Sequence, residues 1–251
     1  MKNCRTILIT GASSGIGRAL AELYAAPGVT LLLTGRHIDR LREVEAVCRG
    51  RGSEVLSTTI DVTDRPRFEK KMLEWDDAHP VDLVIANAGI SGGLDHENVA
   101  KFTEIMQINL EGTFNTIHPF ISRMTTRKKG QIALMSSMAG FRGLPNAPAY
   151  SISKVAVRAT GEALRPPLKK DGVIVSTIHP GFIKTPLTDV NKFPMPFLME
   201  VAKAAEIIKA GLEKDKATIA FPWQMHVLMR VLCMLPRCAA DWILSRAPKK
   251  G

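Results

Sequence analysis

Cysteine is scarce in this chain. Cys4, Cys48, Cys233 and Cys238 are all that its 251 residues hold, and none belongs to a CxxC pair. No histidine stands at zinc-ligand spacing, so no metal site is expected. No apolar run reaches the roughly 20 residues that a bilayer span needs. Met1–Arg5 lead straight into a strand-like segment with no apolar leader ahead of it, and a cytoplasmic location with reduced thiols is the expectation. Acidic residues are the other deficit, 24 against 34 Lys and Arg, for a net charge of +10. That imbalance admits nucleic acid or a membrane surface as a partner. What is present suits a globular chain. A hydrophobic content of 45% excludes global disorder, and 19 Gly with 15 Pro exclude collagen-like and low-complexity chains.

Apolar runs without alternation recur at 5–10 (RTILIT), 29–34 (VTLLLT), 54–60, 81–86 (VDLVIA), 131–136, 173–178 and 217–221. Between them lie segments with helical spacing at 16–26, 38–49, 65–77, 99–128, from 149, and at 200–213. Strands alternating with helices imply an α/β fold, and runs apolar on both faces imply a parallel sheet covered on both sides. The prediction is a doubly wound, Rossmann-type sheet in a single domain over 1–221, followed by an apolar helical extension over 222–251. Pro166-Pro167 should stop or kink the helix near Arg165, because proline removes a hydrogen bond and crowds the preceding turn.

The first strand runs into Thr10-Gly11-Ala12-Ser13-Ser14-Gly15-Ile16-Gly17 and then a helix. Glycines permit positive φ and close backbone approach, and a helix N-terminus offers free N–H groups to a pyrophosphate. Incidental glycines in a strand-to-helix turn are the plainer alternative. The second strand ends Thr34-Gly35-Arg36-His37, with no carboxylate at its tip. Asp39 reads as part of the next helix N-terminus. An Arg suits a 2′-phosphate where an acid would suit a free ribose, so NADP(H) is favoured and NAD(H) stays compatible.

Tyr150 and Lys154 lie four residues apart at the start of a predicted helix, on one face. A free phenol titrates near 10 and is a poor base at neutrality, but a nearby ammonium favours its ionised form. The pair is a sensible proton donor and acceptor for a carbonyl. Ser137, at the carboxyl end of the preceding strand, can hydrogen-bond an oxyanion. Asn109, a mediocre helix former within the long predicted helix, is either neutral surface or an anchor behind the pair.

The ordered set Thr10–Gly17, Asp61-Val62, Asn87-Ala88-Gly89, Asn109, Ser137, Tyr150, Lys154 and Pro180-Gly181-Phe182-Ile183-Lys184-Thr185 resembles the short-chain dehydrogenase/reductase family, in its compact branch of about 250 residues. The likeness spans 5–221. It implies Tyr150 as acid/base and Lys154 as the group that lowers its pKa and holds the nicotinamide ribose. It implies Ser137 as the group that polarises the carbonyl and Asn109 as support for a water-linked relay. Gly11, Ser13, Ser14, Gly15, Ile16, Gly17 and Arg36 would cradle the dinucleotide, with Asp61 and Val62 beside the adenine. Asn87, Ala88 and Gly89 would lie along its path, and Pro180, Gly181, Ile183 and Thr185 would flank the nicotinamide. The Gly35-Arg36 ending resembles NADP-preferring members. Ser14 departs from the basic residue that many of them carry there. A homodimer or homotetramer is implied, as is a small carbonyl or alcohol substrate. A non-catalytic dinucleotide sensor or scaffold is the competing reading, and the full set of four catalytic-type residues speaks against it.

The loop Pro186–Met199 holds Phe193, Met195, Phe197 and Met199, a lining for an apolar or lipid-like substrate unless it packs into the core. The tail segments 223–235 and 237–246 are open to three readings: a cover over the cleft, an oligomer contact, or an in-plane membrane contact with basic flanks. His96, His118 and His179 suggest no ligand role. Much of the positive charge falls where helices should end, at Arg127-Lys128-Lys129 and Lys169-Lys170, and some flanks the tail at Arg246, Lys249 and Lys250. No nucleic-acid partner is expected on that distribution.

Overall fold

In the computed structural model, which describes residues 4–91, 98–145, 147–189 and 193–246, seven parallel strands form one sheet. They are β1 (Thr6–Thr10), β2 (Thr30–Thr34), β3 (Glu54–Thr58), β4 (Leu83–Ala86), β5 (Gly130–Met135), β6 (Val173–Pro180) and β7 (Thr218–Phe221), in the order β3-β2-β1-β4-β5-β6-β7. Side chains alternate across each strand, so one apolar run feeds two cores. Ile7, Ile9, Leu31 and Leu33 face α1 (Gly15–Tyr24), α2 (Ile38–Gly50) and α8 (Val201–Glu213). Leu8, Leu32 and Val84 face the other way, onto Phe68 of α3 (Arg65–Ala78), Phe120 of α5 (Gly112–Arg127) and Val157 of α6 (Pro148–Lys170). The order reverses between β1 and β4, and a sheet of this kind leaves a crevice beyond its strand ends at that point. His96, Lys249, Lys250 and loop residues 190–192 lie outside the described residues.

Two helices differ from the sequence expectation. The span 99–128 is not one regular helix: α4 (Val99–Met106) passes through a π-helical turn, Gln107–Glu111, into α5. The wider turn accompanies an inward Asn109, fully buried, whose amide is held by Ile90 and Ser153. Of the stop or kink expected near Arg165, the stop does not occur, for α6 continues to Lys170. Pro166 and Pro167 are exposed, and so are Glu162 and Ala163, the residues whose carbonyls the prolines cannot satisfy. Leu168 is buried in the core and holds the last turn down.

Of the cations expected at helix ends, Lys169 and Lys170 occupy the last turn of α6 and Arg127 that of α5. Arg127 also grips the buried Asp76 at 2.7 and 3.1 Å, and Lys129 reaches Asp82 at 2.7 Å. A short α7 (Pro186–Asp189) follows β6. After β7 come α9 (Trp223–Met234) and α10 (Arg237–Leu244), whose Met229, Leu232 and Ala240 pack on Met138 in a small third cluster. No helix among the described residues is long and apolar enough to cross a membrane. No cluster of His, Cys, Asp or Glu among them could hold a metal ion.

Candidate active site

The turn after β1 is built around glycines that tolerate nothing larger. Gly11 has φ +67, and a Cβ there would lie 2.9 Å from Ala88 Cα. A Cβ on Gly17 would lie 2.3 Å from the Gly11 carbonyl oxygen, so α1 starts directly against its own turn. Asn87, at the end of β4, locks the turn by donating its side-chain amide to Thr10 O at 2.9 Å and Gly11 O at 3.3 Å. Ala88 N donates to Thr10 Oγ1 at 3.1 Å. Ser14 makes no side-chain cap bond, which leaves the first N–H groups of α1 free toward the crevice. Gly15, with φ +54, faces Thr185 across that crevice, and a Cβ there would lie 3.4 Å from the threonine methyl.

The crevice is one continuous cleft of about 970 Å³, at the large end for ligand sites. Each residue expected at a cofactor or catalytic position lines it, save Gly17, which packs beneath, and Asn109, which lies behind it. Arg36, His37 and Arg40 stand at the end near Ser13 and Ser14. Neither arginine pairs with a carboxylate among the described residues, whereas the nearby Arg18 is spent on Glu22 and Glu43. Two unpaired guanidinium groups, a bare helix N-terminus and a glycine-walled turn fit a phosphorylated dinucleotide. Arg40 escapes a reading of the sequence. Its signal is a cation in the first turn of α2, where the helix dipole disfavours one. Asp61 holds Thr63 through its N–H and hydroxyl at 2.9 and 2.8 Å. Val62 accepts a bond from Asn115 Nδ2 at 2.9 Å.

At the other end, Tyr150 and Ser137 line the cleft together. Burial raises the Tyr150 phenol above its ordinary value, and the neighbouring Ser137 hydroxyl pulls the other way. Lys154 lies almost fully buried, its Nζ 5.7 Å from the Tyr150 ring centre and 2.9 Å from Met135 O, to which it donates. Burial lowers its ammonium to about 8. Ser136 Oγ donates to Lys154 O at 2.8 Å, which pins α6 to the end of β5. Asn109 Nδ2 donates to Ile90 O and Ser153 Oγ, and its Oδ1 accepts from Ile90 N at 2.8 Å. Gly89 sits between the groups: a Cβ there would lie 3.1 Å from Asn109 Oδ1 and 3.4 Å from Lys154 Nζ. The bare glycine therefore leaves open the space those two polar atoms face.

His179 has more to do than its sequence context suggests. It is 1% exposed, packs tilted against Phe141 with ring centres 4.8 Å apart, and places Nδ1 3.3 Å from Ser137 O and Nε2 3.0 Å from Thr177 Oγ1. A carbonyl only accepts, so the neutral ring carries its proton on Nδ1, while the Thr177 hydroxyl also lies 3.2 Å from Ala217 O, to which it donates. Burial is the main cause that lowers this imidazole to about 4, with Arg158 and His226 adding to it. The residue thus props the backbone of Ser137 as a neutral donor. Beyond β6, Pro180, Gly181, Ile183 and Thr185 form one wall of the cleft, with Thr185 Oγ1 donating to Ile183 O at 3.3 Å. Phe193–Pro196, Met225, Met229 and Leu244 add an apolar lining to the cleft.

Comparisons with known proteins agree with this geometry. A family model described as short chain dehydrogenase matches residues 5–193. An "uncharacterized oxidoreductase" of Myxococcus xanthus is 38% identical over 240 residues, 94% of this chain and 95% of that one. The NADP-dependent (R)-specific alcohol dehydrogenase of Lentilactobacillus kefiri is 35% identical over 191 residues, 74% and 75% of the two chains. A short-chain dehydrogenase from Sphingobium yanoikuyae, solved in complex with NADPH, superposes with a TM-score of 0.81 at 24% identity, covering 97% and 96%.

Proposed function

The chain belongs to the short-chain dehydrogenase family, oxidoreductases that act on alcohol and carbonyl groups with a nicotinamide dinucleotide, and on that premise we propose that it transfers a hydride between NADP(H) and an apolar or lipid-like secondary alcohol or ketone. The observation that carries the reading is the meeting of Tyr150, Ser137 and the buried Lys154, its Nζ 5.7 Å from the Tyr150 ring centre, on a cleft that also holds Arg36 and Arg40, neither paired with a carboxylate among the described residues. When bound, the dinucleotide supplies or accepts the hydride. Gly11, Ser13, Ser14, Gly15 and Ile16 would hold its pyrophosphate, and Arg36 with Arg40 its 2′-phosphate. The cofactor in the name of the L. kefiri relative supports the same preference. NAD(H) remains compatible with the glycine turn.

Ser137 donates to the substrate oxygen and Tyr150 exchanges the proton with it. The raised phenol is protonated at neutral pH, the form that carbonyl reduction needs. In oxidation the phenolate is favoured by the Lys154 ammonium and by positive charge on the oxidised ring. Asn109 positions Lys154 from behind, across the space at Gly89. The Met and Phe lining supports an apolar substrate. Exposed Phe102 on α4, Phe114 on α5 and Ile152 on α6 support a homodimer or homotetramer.

Tyr150→Phe should lower kcat with NADPH by at least about a thousandfold while the Kd for NADPH moves less than about twofold. A panel of ketones graded by chain length then reads the substrate class. Undiminished turnover in Tyr150→Phe would overturn the mechanism.

A further inference from the structure

We propose that the outer face of α9 and α10 docks on an anionic lipid surface. These helices use their inner sides fully: Met229, Leu232 and Ala240 are buried against Met138, and Met225, Met229 and Leu244 line the cleft. Their outer sides are apolar and open. Trp223 is 69% exposed, Leu228 61%, Met234 82% and Trp242 61%, joined by Val227, Val231 and Ile243. Trp223, Val227, Val231 and Met234 recur at three- and four-residue spacing, a single stripe down α9. The face is therefore built rather than scattered, and an exposed patch of this kind needs a partner.

Charge decides which partner. From 222 to 246 the chain holds three arginines, Arg230, Arg237 and Arg246, and one acid, Asp241. Asp241 lies 3.9 Å from Arg142, a cation outside this segment. None of the three arginines pairs with a carboxylate among the described residues, and Arg230 shares the helical phase of the stripe itself. A two-fold contact between copies sets this basic patch against the same basic patch, which like-charge repulsion disfavours. An anionic bilayer satisfies both features. Apolar side chains enter the headgroup boundary, tryptophans sit at the interface, and arginines meet the lipid phosphates. Arg246 already stacks on Trp242, its guanidinium 3.9 Å from the ring centre. The binding face is thus the reverse side of the two helices that line the cleft, which would bring the enzyme beside lipid-borne carbonyls.

The test is flotation of the full chain with vesicles of phosphatidylcholine alone or mixed with phosphatidylglycerol, with tryptophan emission as a second readout. Trp75 is buried, so a change in emission reports Trp223 and Trp242. The protein should float with the mixed vesicles and blue-shift, and do neither with phosphatidylcholine alone or at high salt. Leu228→Glu with Met234→Glu should weaken partitioning by about tenfold or more, and Arg230→Glu with Arg237→Glu should abolish the preference for phosphatidylglycerol. Both pairs are exposed, and an unchanged melting temperature confirms the fold. Absence of flotation, equal flotation by the Leu228/Met234 variant, or a concentration-dependent doubling of mass that this variant abolishes would each overturn the proposal. None of these readouts depends on turnover, so the docking and the reaction can fail separately.

Discussion

Lys154 keeps its charge at the expense of the fold. Its ammonium is lowered from 10.5 to about 8 by burial alone. The unfolded chain therefore holds that proton more tightly between those values. The penalty is full below pH about 8 and disappears as pH rises through 10.5, and at neutrality it amounts to about 3 kcal/mol. Lys154→Met should abolish turnover yet raise the stability of the cofactor-free protein, by about 2 kcal/mol once the lost bond to Met135 O is counted. A melting temperature higher by several degrees would record it, and a lower one would show that the Met135 bond outweighs desolvation. His179 makes the opposite choice and stays neutral, because its neighbours Arg158 and His226 and its burial all disfavour a proton. Its place in the site was not legible in the sequence. Its two partners are a carbonyl 42 residues away and a hydroxyl two residues away, and only the pairing of β5 with β6 brings them to one ring.

At the scale of elements, the parts dictated by local pattern read well and the parts dictated by tertiary contact did not. The seven strands and the glycine turn follow from apolar runs and backbone permissiveness. The π-turn around Asn109 does not, because it depends on Ile90 and Ser153, which approach only in the folded chain. Pro166-Pro167 do not end α6 for the same reason: both lie on its exposed side, and the buried Leu168 holds the last turn. The first turn of α2 is where the proposed NADP(H) preference would reside. Arg36 precedes it and Arg40 lies within it, both at the cleft wall. Arg36→Ala with Arg40→Ala should raise the Kd for NADPH by about ten- to a hundredfold and leave that for NADH within about twofold. An equal effect on both cofactors would remove the 2′-phosphate from the assignment.

For the whole molecule, acid should act in two stages. His179 falls from 6.5 to about 4 on folding, so its contribution is complete above pH 6.5 and is lost as pH drops toward 4, about 3 kcal/mol in all. Asp76 and Asp82 are both held below 3.8 by their cationic partners, and their contributions disappear at still lower pH. Urea midpoints at pH 7, 5 and 4 should fall steadily, and His179→Phe should flatten that part of the curve. An unchanged slope would exclude His179 as its source. The strand order has a consequence for synthesis as well. β1, β2 and β3 are made first and are neighbours in the sheet, so this three-stranded part can close once residue 58 has left the ribosome. Its β1 edge then stays open until Leu83–Ala86 arrive to cover it. During that interval the nascent chain presents an apolar, unpaired strand to its surroundings, and this is the stage at which a chaperone would find the most to hold.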